Sequence, residues 1–112
     1  MTDYEAIARN HHKSGKNCAM SVYDALAALN KNKTKAPMPR AEGGKCGAVL
    51  AAEQVLREMG LPQEKTDEFD RKFAETFGSL KCAELRGRLN NKCNDYVGAS
   101  ASMASAMLEA MN

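Results

Sequence analysis

Residues 46–78 read CGAVLAAEQVLREMGLPQEKTDEFDRKFAETFG. Apolar residues recur there at helical spacing in two blocks, with a strong stop signal between them. Cys46, Val49, Ala52, Leu56 and Met59 form one stripe, ended by Gly60 with Pro62 beyond it. From Gln63 onward, Phe69, Phe73 and Phe77 stand one turn apart on a single face, and Gly78 closes the block. Two amphipathic helices are expected, from about Gly44 to Met59 and from about Gln63 to Phe77, the phenylalanines serving as core rather than as a ligand-facing wall.

The same period continues on both sides. Upstream, a helix opens at a Thr2 or Asp3 cap, carries Tyr4, Ile7, Ala8 and His11 on one face, and breaks at Ser14-Gly15 after Lys13. A second helix is expected over Asn17–Asn30, capped by Asn17, with Cys18, Val22, Ala25, Leu26 and Leu29 in register. Residues 31–44 hold Pro37, Pro39, Gly43 and Gly44 among basic residues and read as a flexible loop. Downstream, a short helix from about Leu80 to Arg86 is closed by Gly87. The last helix carries Cys93, Tyr96, Val97, Ser100, Ala104, Met107 and Met111. Its middle, VGASASMASA, admits a neighbouring helix at close range, at a cost in helix propensity at Gly98.

Composition agrees with this pattern. Valine, isoleucine and threonine together supply nine of the 112 residues, too few for a sheet-based fold. A chain of this length forms one domain around one core. The expected fold is an all-α, single-domain bundle of five to six helices spanning residues 1–112, with its cysteines at helix N-termini. The net charge of +2 is spread along the chain, and its densest run, Lys31, Lys33 and Lys35, reads as solvated surface. Nucleic acid is therefore not an expected partner. No apolar run approaches the ~20 residues of a membrane span, and MTDYEAIARNHHK lacks a signal-peptide core, so a cytoplasmic location is expected.

Four cysteines, at 18, 46, 82 and 93, are the chemical anomaly of so small a chain. In a reducing compartment they suggest metal binding or thiol redox chemistry rather than a disulfide framework. None forms a local C-x2-4-C pair, so tertiary structure must bring them together. Each falls at the start of an expected helix: after Asn17, after Gly43-Gly44, after Gly78-Ser79 and after Asn90-Asn91. Lys45, Lys81 and Lys92 directly precede three of them. The helix dipole and an adjacent cation both favour the thiolate, the form that attacks disulfides and binds metals. A single buried cysteine most often only fills space; four at helix starts favour a shared site.

Around these positions the sequence resembles a family of small proteins named for the pattern C_GCAxxG_C_C, whose redox activity is inferred from its cysteines. The matching pieces are Gly15-Lys16-Asn17-Cys18-Ala19, Gly43-Gly44-Lys45-Cys46-Gly47-Ala48, Phe77 through Gly87 around Cys82, and Lys92-Cys93-Asn94-Asp95-Tyr96-Val97. Where the family motif ends in glycine this chain has Ala51, a turn beyond Cys46, where a change bears on helix packing more than on thiol chemistry. The resemblance implies a thiol redox role for Cys18, Cys46, Cys82 and Cys93 without naming a substrate.

The expected activity is dithiol/disulfide exchange with an unknown redox partner protein or a small thiol or disulfide. Cys46 is the expected attacking thiol, because Gly43, Gly44 and Gly47 leave its sulfur least hindered and Lys45 lies beside it. Cys18 is its expected partner, with Cys82 and Cys93 as a second pair; four cysteines permit three pairings and all stay open. The rival is a metal protein holding zinc or an iron–sulfur cluster through the same four cysteines. A third reading is a non-enzymatic helical adaptor. His11-His12, near the end of the first helix, could add a ligand or a proton acceptor for a thiol, although the dipole alone suits histidine there. The methionines, including Met103, Met107 and Met111 at helical spacing, and the acidic residues Glu53, Glu58, Glu64, Glu68 and Glu75 read as packing and as solvated helix faces.

Overall fold

The computed structural model describes residues 3–29, 46–80 and 93–110. Among the described residues there are five α-helices and no strands: α1 (Tyr4–Lys13), α2 (Cys18–Ala25), α3 (Gly47–Glu58), α4 (Gln63–Phe77) and α5 (Cys93–Glu109). The loop expected over 31–44 and the short helix expected over 80–86 lie outside them, Leu80 excepted.

Each helix start has a local cause. Asp3 caps α1, its side chain accepting from Ala6 N–H at 3.0 Å. Glu5 in the first turn and His11, His12 and Lys13 in the last complement the dipole of α1. Asn17 caps α2 in the same manner, accepting from Met20 N–H at 2.8 Å. Helix α4 occupies the predicted span and ends at Gly78 with φ of 90°. Helix α2 is shorter than expected. It closes at Leu26, and the chain continues through tight turns in which Ala27 N–H donates to Asp24 O and Leu29 N–H to Leu26 O. The apolar spacing of Ala25, Leu26 and Leu29 marks a buried face, but a tight turn presents that face as readily as a helix does.

Helix α3 is the most deeply buried element, with Ala48, Val49, Ala51, Ala52, Val55 and Leu56 all inaccessible to solvent. Ala51 thus sits in the core, as expected of a packing position. Helix α5 lies along α1, α2 and α3, and its small residues Ala101 and Ala104 are fully buried. The phenylalanine stripe of α4 turns inward as expected. Phe69 and Phe73 are fully buried, each contributing roughly 2–3 kcal/mol by transfer from water. Phe73 and Phe77 stack edge-on to Tyr96 of α5, with ring centroids 6.1 and 5.0 Å away. Met103 and Met107 pack against this core. No helix is long and apolar enough to cross a membrane, judged over the described residues.

Candidate functional site

The turn between α1 and α2 is built from hydrogen bonds that Ser14-Gly15-Lys16-Asn17 supplies. Gly15 takes φ of 112°, a value at which a side chain is strained. Lys16 N–H donates to His11 O and Gly15 N–H to His12 O, both at 3.2 Å, the paired bonds of a Schellman ending. Ser14 Oγ adds a bond to His11 O at 2.9 Å. Beyond the turn, Lys16 Nζ pairs with Asp24 at 2.8 Å and Ser21 Oγ donates to Asn17 O at 2.7 Å. The chain therefore reverses over residues 14–17 in a fixed geometry. Cys18, the first residue of α2, comes back to His12 in the last turn of α1.

Cys18 Sγ lies 3.8 Å from His12 Nε2, within hydrogen-bond range for sulfur. Both residues are half-buried. The opposite ring nitrogen, Nδ1, lies 3.2 Å from Asn94 Nδ2 in the first turn of α5. Asn94 is in turn held by Arg9 of α1. Its Nδ2 donates to Arg9 O at 3.1 Å, and its Oδ1 accepts from Arg9 Nη1 at 3.2 Å. Arg9 also pairs with Asp95 at 2.8 Å and with Glu5 at 2.9 Å. The hydrogen bond that Arg9 donates to Asp95 raises the guanidinium above its already high range; burial opposes this and Glu5 supports it, so Arg9 stays charged at every working pH.

Gly98 makes room for this arrangement. A Cβ there would overlap Arg9 Nε and lie 2.8 Å from Arg9 Cζ. The close approach expected of the small-residue segment is thus real, and what approaches is the guanidinium of α1.

Of the cysteines, Cys18 and Cys93 open α2 and α5, and Cys46 is the residue immediately before α3. Cys82 and the side chain of Cys93 lie outside the description. Cys46 differs from expectation. Its residue is only 4% exposed, inside the core cluster, and its N–H donates to Leu80 O at 2.8 Å. With the residue this buried, Gly47 beside it does not leave Cys46 open to solvent. Helices α2 and α3, which the two cysteines precede or open, pack against one another. No disulfide joins two described cysteines.

The metal reading places its ligands at Cys18, Cys46, Cys82 and Cys93. Among the described residues no three histidine, cysteine, aspartate or glutamate side chains group as a metal site. The sulfurs of Cys82 and Cys93 lie outside that statement.

Sequence reasoning named His11-His12 as an accessory pair, and the structure brings His12 to Cys18. It missed Arg9, Asn94 and Asp95. The one local signal was Gly98, a turn after Asn94 on the same face of α5, which marked where another element comes close. No family model, curated protein or solved structure matches the chain.

Proposed function

We propose that the chain is a thiol/disulfide redox protein in which Cys18 is the attacking thiolate. The observation that supports this is the contact between Cys18 Sγ and His12 Nε2, at the start of a capped helix and on a half-buried surface. The dipole of α2 and a ring N–H both favour negative charge on that sulfur. Cys46, buried beside Leu80, suits a later step better than first attack.

In the proposed reaction the Cys18 thiolate attacks one sulfur of a substrate disulfide. The substrate S–S bond breaks, one substrate thiolate leaves and takes a proton from water, and a mixed disulfide forms. A second cysteine of the chain, from Cys46, Cys82 and Cys93, then attacks the Cys18 sulfur and expels the other substrate thiol. The substrate gains two electrons and the chain is left with an internal disulfide. A dithiol partner protein or small thiol returns the chain to its reduced form. Such a cycle fits the cytoplasm, where a disulfide forms in passing and is reduced again. The C_GCAxxG_C_C resemblance points the same way.

The test is reaction of the reduced, anaerobically purified chain with a small aromatic disulfide, together with metal analysis. The expected result is no stoichiometric metal, rapid formation of a mixed disulfide, and loss of that step in Cys18→Ser. A Cys18→Ser variant as fast as wild type refutes the assignment, and one bound zinc or cluster per chain refutes the redox reading in favour of the four-cysteine metal site.

A further inference from the structure

The contacts of Asn94 determine where the proton of His12 sits. An asparagine amide has one accepting end and one donating end. Arg9 engages both ends of this one. Its guanidinium can only donate, so the atom facing Nη1 must be the amide oxygen. Its main-chain carbonyl can only accept, so the atom facing it must be the amide nitrogen. The nitrogen is also the atom that faces His12 Nδ1. Nδ1 must then accept, and the single proton of the neutral ring is on Nε2, pointing at Cys18 Sγ.

We infer that Arg9 and Asn94 are positioning residues that fix His12 as its Nε2–H tautomer, making the imidazole a hydrogen-bond donor to the Cys18 sulfur. This rests on the reading of Cys18 as the reacting thiol and specifies how that thiol is served. In the nucleophile–base–acid triads of hydrolases the third group accepts from the ring, which leaves the other ring nitrogen ready to take the proton of the nucleophile. The order here is the reverse. The third group donates, the ring holds out a proton, and the state it complements is a thiolate already formed. The Cys18 proton leaves to water, the ring N–H remains where it is, and the sulfur attacks without proton transfer inside the site.

The charged groups around this path are consistent with the assignment. On α1 they are Glu5, Arg9, His11 and Lys13, and on α5 Asp95. Lys16 in the turn is engaged by Asp24 of α2. Glu5 and Asp95 are both directed onto the guanidinium, which keeps Arg9 oriented toward Asn94. Gly98 leaves the space in which that head group lies.

The experiment is ring-nitrogen NMR of the reduced full chain in a His11→Gln background, so that His12 is the single imidazole observed. The parent is expected to show a protonated Nε2 and an unprotonated Nδ1. In Asn94→Asp the donor facing Nδ1 becomes an acceptor, and Nδ1 is expected to move to the protonated shift. Gly98→Ala changes none of the linked side chains but displaces the Arg9 head group, and is expected to reduce the parent pattern to a mixture of tautomers. Helical circular dichroism confirms that both variants fold. A parent with its proton on Nδ1, or an Asn94→Asp variant with unchanged shifts, overturns the inference even if Cys18 proves to be the reactive thiol. If the shifts behave as expected while Cys18→Ser reacts like wild type, the positioning stands and the redox assignment alone fails.

Discussion

The starts of α2 and α3 carry the same local signals and lead to opposite environments. Each has a cysteine with glycine and lysine close by in sequence. At α2, Asn17 is the cap, and Cys18 is half-buried with an imidazole 3.8 Å from its sulfur. At α3, Cys46 itself occupies the cap position, makes no side-chain capping bond, and is buried in the core cluster with its N–H donating to Leu80 O. The difference separates two thiols that share a helix-start dipole, and on the proposed reading the half-buried one beside a ring nitrogen is the one available as a thiolate. The dipole is common to both starts; the imidazole belongs to one.

The largest consequence is in reactivity. In the native reduced chain Cys18 should react with iodoacetamide at least about a hundredfold faster than Cys46, whose labelling needs local opening. Peptide-resolved mass spectrometry reads both sites, and equal rates would erase the contrast. Next in size is the effect of His12. His12→Leu should slow Cys18 about tenfold at neutral pH, the worth of one hydrogen bond to a charged group, and leave Cys46 unchanged. If both sites slow together, the imidazole acts on the fold rather than on the Cys18 sulfur.

Stability effects are smaller and run the other way between the two starts. Asn17→Ala removes a capping bond and should cost about 1 kcal/mol in urea denaturation. Cys46→Ala empties a small volume in the core and should cost about 1 kcal/mol, whereas Cys18→Ala should stay within about 0.5 kcal/mol. A Cys18→Ala variant as costly as Cys46→Ala would mean that Cys18 is a packing residue.

How much of this was legible in the sequence depended on distance along the chain. The span of α4 follows from periodicity and from its Gly60-Leu61-Pro62 and Gly78 boundaries, all of them local. The burial of Phe69 and Phe73 follows from their spacing. The His12–Cys18 contact was half legible: Ser14-Gly15 signals a helix end and Asn17 a helix start, and together they force a tight reversal. The Arg9–Asn94 contacts join residues 85 positions apart, and nothing local to either announces the other. Burial of Cys46 was hidden for the same reason. Gly47 suggests open space when read along the chain, whereas Cys46 lies in the core cluster and its N–H is taken up by Leu80 O, 34 positions away.

The most direct test of the account is the pH dependence of Cys18 alkylation, followed at that site in wild type and in His12→Leu. The account predicts that the wild-type rate reaches half its maximum at a pH below the ordinary thiol range, and that replacing His12 moves this midpoint upward. A wild-type midpoint within or above the ordinary range, or one that His12→Leu leaves in place, would contradict it.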